Sequence, residues 1–376
     1  MSFACTVIRD VQTLRDLRAE LAAVAEAPGA ASGIVQHPDW IDYEVVSRRD
    51  GTVPHVVVVR DATGCLVGYA PFLAVDHVAG LDLAGRRVKL YRGSALRLLG
   101  SGVVAASTDR ARVETAVARQ LSTDREVRVL RIQEADLPNT LAMSLSGSGR
   151  FRTIAANLLD QVHWLIDPQA SSETWLAAMD RKKRADLTQR VGRAYRKLGS
   201  DAALRVFDSS GDMAEYCRLM DAVYARTWHH AELPVDWTAP ERIALFEKLA
   251  GAGQLVGHIV LRDGKPLAYV HGYRMGGTYL VDDLGYDDEV AKVGIGSVAV
   301  FQAVRGVIDR YPGERISFGY GDNQYKRMLA TRAEPCGSLY VVRDAVGTAG
   351  FHVYAPVRWV YKRLHRARAA RVARGR

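Results

Sequence analysis

The fold is decided by the stretch Phe318-Gly319-Tyr320-Gly321-Asp322-Asn323-Gln324-Tyr325-Lys326. A short strand-like run, Arg315–Phe318, leads into two glycines one residue apart, and glycine lets a backbone turn sharply and approach a ligand without a Cβ in the way. The lysine that ends the stretch is a mobile cation, able to meet a phosphate or a developing oxyanion. On residue types alone, the alternative is a plain strand-to-helix turn in which Asp322 caps the helix and Lys326 is a surface lysine.

Several landmarks precede this stretch. They are the basic run Arg181-Lys182-Lys183-Arg184, the strand-like segments Gly257–Leu261, Leu267–Tyr273 and Tyr279–Tyr286, and a helix start at Gly294-Ile295-Gly296. With these landmarks in this order, residues 172–343 resemble the acyltransferase domain of the GNAT superfamily, in the branch of the CelD/BcsL-type proteins associated with cellulose biosynthesis. That branch is itself similar to the Fem-type aminoacyl-tRNA-dependent transferases. The resemblance implies an α/β (α+β) fold of tandem GNAT-like domains, with mixed central sheets flanked by helices.

Length and composition indicate a globular protein of more than one domain. The chain has 376 residues, 48% of them hydrophobic and 25% charged, which is more than one ordinary core accommodates. No apolar run reaches the roughly 18 residues of a membrane-spanning helix, and the first residues lack the features of a secretory signal, so we expect a cytoplasmic protein. The four cysteines form no CxxC pair, which predicts reduced thiols and no zinc site.

The net charge of +9 favours anionic partners such as nucleic acid, phosphorylated cofactors, acidic carrier proteins or a membrane face. Much of it lies in a predicted helix over residues 172–198, where a solvated face is the ordinary interpretation and phosphate contact the alternative. The resemblance makes Arg181 and Arg184 candidates for substrate binding. The arginine-rich tail Arg358–Arg376, with Trp359 and Tyr361, is interpreted as a solvated tail, an RNA-binding segment or a peripheral membrane contact.

An internal similarity suggests that one fold is used twice. Val56–Asp61 followed by Leu66–Tyr69 is similar to His258–Asp263 followed by Leu267–Tyr269, each being a strand, an Arg-Asp turn and a second strand. Chance similarity between hairpins is the alternative. With Ser144–Gly149 as a linker, we predict a non-catalytic GNAT-like domain over 1–150, a GNAT acyltransferase domain over 151–345 and a basic tail over 346–376.

A donor site is predicted at Val293-Gly294-Ile295-Gly296-Ser297, between a strand and a helix. Backbone N–H groups at a helix start, helped by the helix dipole, can hold a pyrophosphate. In GNAT enzymes this position holds the pantetheine-pyrophosphate of coenzyme A through a Gln/Arg-x-x-Gly-x-Gly/Ala loop. Here Ala291 stands at the first position, and Lys292 is a partial substitute. The alternative is a loop of small residues at a helix start. The predicted donor-binding residues are Lys292, Gly294, Ile295, Gly296, Ser297 and Tyr325.

The resemblance also implies catalytic roles. In Fem-type transferases an aromatic–lysine pair lies against the aminoacyl ester, and the lysine offsets the negative charge of the tetrahedral intermediate; Tyr325-Lys326 corresponds to that pair. A base is also needed, because the attacking amine must be neutral. Side chains alternate between the two faces of a strand, so Asp282 and Asp283 point to opposite faces. We predict that Asp283 is the base. The alternative is that both aspartates are simply exposed to solvent at the end of the strand. His271 is predicted to be a core histidine. Tyr286 and Asp322 join Arg181 and Arg184 as predicted substrate-binding residues.

The predicted function is N-acyl transfer from acyl-CoA, or from an acyl-carrier protein, to a small-molecule or glycan amine in polysaccharide, envelope or natural-product biosynthesis. Direct attack within a ternary complex is favoured because no Ser or Cys nucleophile motif is present. No His, Asp or Glu spacing indicates a metal. One alternative is an aminoacyl-tRNA-dependent transferase of the Fem type. The other is a non-catalytic binding protein that keeps the fold.

Overall fold

The computed structural model describes residues 3–30, 32–48, 51–83, 86–157, 161–199, 202–227, 230, 233–343, 346–353, 356–361 and 363. The chain forms two compact units, one made of Met1–Val162 with Pro335–Arg376 and the other of His163–Glu334. The first unit is therefore assembled from two separate parts of the chain, whereas the second is continuous. Residues 335–343, predicted to lie in the second domain, form a strand of the first unit instead.

The first unit contains a mixed sheet. Its strands are β1 (Ala4–Ile8), β2 (Val53–Arg60), β3 (Leu66–Leu83), β4 (Arg86–Leu98), β5 (Val104–Ala105), β6 (Val129–Asp136) and β7 (Phe151–Ala155), joined by the late strand β14 (Arg332–Arg343). Strands β1 to β4 pair antiparallel in sequence order, β4 pairs parallel with β6, and β14 pairs antiparallel with both β6 and β7. Its helices are α1 (Val11–Asp16), α2 (Arg18–Glu26), α3 (Pro38–Ser47), α4 (Arg110–Thr123) and α5 (Thr140–Gly147).

The predicted linker at Ser144–Gly149 is wrong. Most of it belongs to α5, whose cap Asn139 accepts a hydrogen bond from the Ala142 N–H at 3.0 Å. Leu141 and Leu145, four residues apart on one helical face, are both fully buried. Burial of that face outweighs the loop-like composition of the segment, because most helical stability in proteins comes from packing.

The second unit contains the strands β8 (Gln161–Ile166), β9 (Ala202–Phe207), β10 (Leu255–Arg262), β11 (Lys265–Met275), β12 (Thr278–Tyr286) and β13 (Arg315–Tyr320). Strands β9 to β12 pair antiparallel in sequence order, β12 pairs parallel with β13, and β13 pairs antiparallel with β8. Its helices are α6 (Ser172–Ala178), α7 (Arg181–Leu198), α8 (Met213–Tyr224), α9 (Pro240–Gly251), α10 (Ile295–Arg310) and α11 (Gln324–Leu329).

The helix predicted over 172–198 is two helices. Met179 is extended, with φ −69° and ψ 147°, and ends α6. Asp180 then begins α7, its carboxylate accepting hydrogen bonds from the N–H groups of Lys182 and Lys183. The apolar residues over 172–198 keep helical spacing throughout, but Asp180 caps a second helix and so divides the segment into two. The apolar faces of α7 and α10 pack on one side of the sheet, around Leu187, Val191, Val300 and Val304.

The two units repeat one topology, which confirms the predicted mixed α/β class. In the first unit, β1 and its helices precede the antiparallel strands β2 to β4, and α4 then leads to β6, which is parallel to β4. In the second unit, β9 and its helices precede β10 to β12, and α10 then leads to β13, which is parallel to β12. The two hairpins that are similar in sequence, β2–β3 and β10–β11, occupy equivalent places, and both carry a shift in register.

The tail prediction lies partly outside the described residues. Val346–Val353 form a 3-10 helix whose Phe351 is fully buried against Tyr91 and Tyr340 of the first unit. Trp359 is exposed. The segment predicted as a tail from residue 346 therefore begins as packed structure. In the described part of the chain, no helix has the length and apolar character to cross a membrane.

Gly272→Ala is expected to destabilise the second unit by about 3 kcal/mol, the upper end of the cost of overpacking a core. A Cβ at Gly272 would lie 2.4 Å from the Tyr279 ring and 2.5 Å from the carbonyl oxygen of Leu280. The backbone of a central strand cannot give way as a flexible side chain does. Urea unfolding of both forms measures the effect.

The control is Gly306→Ala on the exposed side of α10, where a Cβ would meet nothing within 4 Å. Alanine has the higher helix propensity, so that variant should gain about 0.5–1 kcal/mol. Equal urea midpoints for Gly272→Ala and the unmodified protein would contradict the packing described here.

Candidate active site

The sheet of the second unit opens between its two parallel strands. Pairing of β12 with β13 covers only Thr278–Leu280 and Arg315–Ser317. Beyond these three pairs, β12 continues to Tyr286 along β11, and β13 continues to Tyr320. Strand edges without a neighbour present N–H and C=O groups to a ligand. The opening is therefore where an extended group can enter the sheet.

A short connection after the end of β12 leads to the start of α10. Gly294 is its N-cap in the left-handed conformation, with φ 87° and ψ 26°, which favours glycine. A Cβ at Gly296 would lie 2.7 Å from the Tyr286 ring, so glycine there allows the ring to pack against the helix start. The first N–H groups of a helix have no intrahelical acceptor and attract anions. Lys292, exposed just before this turn, adds a positive charge.

A buried aspartate anchors that turn. Asp287 is 1% exposed, and its carboxylate accepts hydrogen bonds from the Arg226 Nε at 2.7 Å and from the Glu289 N–H at 3.0 Å. The ion pair holds the short 3-10 helix Asp288–Val293 between β12 and α10. The sequence signal for this anchor is only a run of acids after a strand, which by itself favours a solvated loop.

Asp283 lies on β12 opposite His271, beside a register shift that leaves Asp282 without a partner residue on β11. Such a bulge re-aims a side chain. Asp283 is half-buried, whereas Asp282 is exposed. The Tyr269 hydroxyl donates a 2.7 Å hydrogen bond to one Asp283 oxygen, and the Leu284 N–H donates to the other at 2.8 Å. Among the described side chains, no ion pair is formed by this carboxylate.

Tyrosines surround the Asp283 carboxylate. Burial, and secondly the negative charge of Asp283, raise the pKa of Tyr269 and Tyr224 above the ordinary value, and raise that of Tyr325 to about 12. The charge of Asp283 therefore acts on Tyr325, the aromatic partner of Lys326. The phenols stay protonated at neutral pH and can donate hydrogen bonds to an anionic group.

His271 lies in the core behind Asp283. It is fully buried, its Nδ1 is 2.9 Å from the Tyr216 hydroxyl, and its ring stacks on Phe246 with centroids 4.8 Å apart. Burial, assisted by the positive charge of Arg242, lowers the pKa of His271 to about 3. The imidazole is therefore neutral at physiological pH and supports the aromatic layer rather than acting as a base.

We expect His271 to make the protein sensitive to acid. Its pKa is about 3 in the folded state and about 6.5 in an unfolded chain, so the unfolded state binds more protons between these values. Stability is therefore fully present above pH 6.5 and falls as the pH drops towards 3. His271 alone should contribute a loss of about 2 kcal/mol between pH 6.5 and 5. Urea unfolding at several pH values measures it.

His271→Phe should reduce this pH dependence, whatever its effect on absolute stability at pH 7. His230→Gln is the control, because His230 is exposed. An unchanged slope of unfolding free energy against pH in His271→Phe would show that the buried imidazole does not contribute.

The stretch from β13 to α11 forms the predicted strand, glycine turn and helix. Gly319 and Gly321 have φ values of 63° and 93°, which favour glycine. Asp322 does not cap the helix: Asn323 occupies that position, and Asp322 is exposed and forms a 2.7 Å ion pair with Arg327. Lys326 is not a surface residue. It is 6% exposed, and its Nζ donates a 2.8 Å hydrogen bond to the Tyr320 carbonyl oxygen.

The basic start of α7 is connected to α11 through Lys183 rather than through the predicted arginines. The Lys183 Nζ donates to the Ala330 carbonyl oxygen at 2.9 Å, and burial lowers its pKa. Arg181 and Arg184 are exposed. Within the described residues, neither arginine contacts Asp283 or Lys326, so the structure leaves both as surface cations beside this region.

Sequence reasoning missed a serine–histidine pair. The Ser317 Oγ on β13 lies 2.8 Å from the His163 Nε2 on β8, across 154 residues of sequence. The His163 ring is tilted against Tyr320, with centroids 4.7 Å apart. No spacing rule connects residues so distant in the chain, and no nucleophile motif surrounds Ser317.

Comparison with known proteins identifies a family model that matches part of the chain. Residues 181–327 match the family model described as an acetyltransferase (GNAT) domain. No curated protein sequence matches. Among solved structures, FemX has 10% sequence identity and a TM-score of 0.60, and the alignment covers 93% of this chain and 99% of FemX.

Two further structures are similar in fold. The C-terminal domain of a putative lysylphosphatidylglycerol synthetase from Agrobacterium fabrum has 13% identity and a TM-score of 0.54, over 91% of this chain and 95% of that domain. L-PGS from Bacillus licheniformis has 12% identity and a TM-score of 0.54, over 90% and 95%. At such identities these likenesses concern the fold alone.

Proposed function

We propose that this GNAT-type acyltransferase moves an acyl group from an acyl-CoA, or from an acyl-carrier protein, to the primary amine of a small molecule or glycan. The observation that carries the proposal is the half-buried Asp283. It lies beside the opening between β12 and β13, near Tyr325, and forms no ion pair with a described residue. Buried charges are normally paired. An ammonium group of the acceptor would supply the missing partner and then lose a proton to the carboxylate.

Donor binding would use the start of α10. The N–H groups of Ile295 and Gly296 belong to its first turn, and Lys292 precedes it. Because Ala291 stands where GNAT loops carry Gln or Arg, this loop lacks the polar side chain that a usual coenzyme A site has at that position. A donor bound to an acyl-carrier protein has a single phosphate, so this loop would need to bind less negative charge than it would with coenzyme A. The Tyr286 ring, packed on Gly296, would form one wall of the site.

The reaction would proceed by attack of the neutral amine on the acyl carbonyl carbon. Asp283 would take the proton from nitrogen, with Tyr269 holding the carboxylate in place. Lys326 would offset the charge on the carbonyl oxygen, directly or through the Tyr320 segment that its Nζ holds. The thiol leaves with a proton as the amide forms. Since acyl-CoA is a cytoplasmic compound, this proposal locates the reaction in the cytoplasm.

A second candidate is transfer from aminoacyl-tRNA, favoured by the exposed cations of α7. They include Arg181, Lys182, Arg184, Arg193, Arg196 and Lys197. A row of cations can follow a phosphate backbone, and binding would then weaken steeply with salt. A non-catalytic binding protein remains a third candidate, because fold alone does not fix activity.

A thermal-shift panel tests these alternatives with acetyl-CoA, longer acyl-CoAs, acyl-carrier protein and aminoacyl-tRNA. A ligand present at 100 times its Kd stabilises the native state by about 2.7 kcal/mol, which is a clear rise in Tm. Gly296→Ala, in which a Cβ meets the Tyr286 ring, should remove the shift caused by a donor at α10. If none of the ligands raises Tm, the proposed function fails.

A further inference from the structure

Three consecutive apolar side chains are exposed near the end of the described chain. Trp359 is 61% exposed, Val360 48% and Tyr361 38%, and Val353, shortly before them, is 52% exposed. Scattered apolar residues are ordinary on a protein surface, but a group of this kind marks an interaction site. We call Val353 and Trp359–Tyr361 the exposed apolar group.

The exposed apolar group is attached to the folded first unit. Just before it, the Phe351 ring is fully buried, with its centroid 5.7 Å from that of Tyr91 and 5.0 Å from that of Tyr340. Within it, the Arg358 Nε donates a 2.7 Å hydrogen bond to the Asn157 carbonyl oxygen. These contacts hold the group at the surface of the unit, where its apolar side chains are presented to an outside partner.

The stretch that contains this group is strongly basic. Residues 351–376 contain no Asp or Glu. Their cations are Arg358, Lys362, Arg363, Arg366, Arg368, Arg371, Arg374 and Arg376. These eight charges nearly equal the net charge of +9 for the whole chain, so the rest of the protein is close to neutral. The Arg363 guanidinium lies 5.4 Å from the centroid of the Trp359 ring, which places a cation directly beside the exposed apolar group.

A neighbouring strand adds positive charge. Tyr91, which packs on Phe351, lies on β4 between Lys89 and Arg92, and both of these cations are exposed. Neither forms an ion pair with an acidic side chain among the described residues. The surface around the Phe351 anchor therefore combines exposed apolar side chains with cations from two separate parts of the chain.

We propose that residues 353–376 dock this protein on the surface of an anionic lipid bilayer. Trp and Tyr rings are typical of the headgroup level of a membrane, and Lys and Arg next to that level are attracted to anionic lipids. A nucleic acid would explain the cations and could stack on the aromatic rings. It would not explain Val353 and Val360, because an aliphatic side chain leaves water only if the partner offers an apolar layer.

The test measures binding of the full-length protein to vesicles by co-sedimentation. One set of vesicles is phosphatidylcholine alone, and the other is an equal mixture of phosphatidylcholine and phosphatidylglycerol. We expect binding to the mixed vesicles only, and we expect it to weaken with added salt, which screens exposed charges. Absence of binding to the mixed vesicles at low salt overturns the proposal. The outcome does not depend on the donor or acceptor of the proposed acyl transfer.

The apolar contribution is tested with Val360→Ser. Removing a half-exposed apolar side chain from the bilayer should weaken vesicle binding by about fivefold. The matched control is Val46→Ser on α3, because Val46 is 53% exposed in the same unit. Both variants should keep the Tm of the unmodified protein, since neither side chain is buried. Equal vesicle affinity in the two variants overturns the proposal.

The charge contribution is tested by changing Arg366, Arg368 and Arg371 to Gln together. Each Lys or Arg near an anionic surface is worth about fivefold in affinity, so the triple variant should bind about 100-fold more weakly. The control changes three exposed cations of α7, which are Arg193, Arg196 and Lys197, in the same way. An equal loss in both variants would show a general attraction to positive charge and overturn the assignment to residues 353–376.

A single-stranded RNA of mixed sequence tests the competing partner. The protein is offered this RNA and the mixed vesicles separately, under the same salt conditions. If the triple Gln variant loses RNA binding while the unmodified protein prefers neither kind of vesicle, residues 353–376 are an RNA-binding segment and the proposal is overturned. Binding to mixed vesicles that is weakened by Val360→Ser is the expected result.

Discussion

Lys326→Met is expected to lower kcat by about 10²–10³-fold, the loss seen when one donor to a developing oxyanion is removed. Methionine retains the packing of the buried side chain but has no ammonium group. The Tyr320 carbonyl oxygen, which accepts the 2.8 Å hydrogen bond from Nζ, then loses its donor. An acyl-transfer assay, with the donor found in the ligand panel, measures the change.

The comparison for this variant is Arg327→Ala, one residue further along α11. Arg327 is exposed and pairs only with Asp322 among the described side chains, so its loss should leave kcat within a factor of two or so. The hydrogen bond from Nζ to the partly buried Tyr320 carbonyl oxygen is also lost, so Lys326→Met should melt at a somewhat lower temperature. A folded Lys326→Met protein with unaltered kcat would rule out a catalytic role for Lys326.

Asp283→Asn is expected to lower kcat/KM by about 10²–10⁴-fold, the contribution of a positioned base. Asparagine keeps the shape of the side chain but neither takes a proton nor pairs with an ammonium. The change should also move the pKa of Tyr325 downwards from about 12, because the charge of Asp283 contributes to raising it. Kinetics against amine concentration measure the first effect.

Asp282→Asn is the matched control, since Asp282 is the exposed neighbour at the bulge. It should retain nearly full activity. Tyr269→Phe removes the hydroxyl that holds Asp283 and should give a smaller loss than Asp283→Asn, because the carboxylate itself remains. Equal activity of the Asp282 and Asp283 variants would remove Asp283 from the mechanism.

Local order along the chain was largely predictable where glycine controls the backbone. The end of β13 needs positive φ at Gly319, the turn after it needs positive φ at Gly321, and the start of α10 needs it at Gly294. These positions mark strand and helix ends in the sequence itself. The predicted order of strand, glycine turn and helix is accordingly present, with the strand extending to Tyr320 and the helix spanning Gln324–Leu329. The burial of Lys326 was not determined by residue type, because it depends on packing against residues elsewhere in the fold.

The side-chain pairs of the candidate site were beyond sequence reasoning. Ser317 meets His163 only because β8 lies antiparallel to β13, and strand order is not written in local patterns. A bulge in β12 leaves Asp282 without a partner residue and pairs Asp283 with His271. The rule that side chains alternate along a strand assumes regular pairing, so it does not predict this bulge. The break between α6 and α7 was missed because Asp180 fits both a helix face and a helix cap.

The repeated topology also supports the proposal that the first unit is not catalytic. There, pairing of β4 with β6 covers Leu96–Leu98, and β4 ends at Leu98. In the second unit β12 continues to Tyr286, beyond its last pair with β13. In the described part of the first unit, β4 therefore does not continue past its pairs with β6, as β12 does past its pairs with β13.

The late strand of the first unit has a consequence for biosynthesis. Residues 335–343 of strand β14 pair with β6 and β7, yet they are encoded after the whole of the second unit. During translation, residues 163–334 are therefore synthesised before the last strand of the amino-terminal sheet. A stop codon after Glu334 would therefore deprive the portion translated first of residues that pair with β6 and β7.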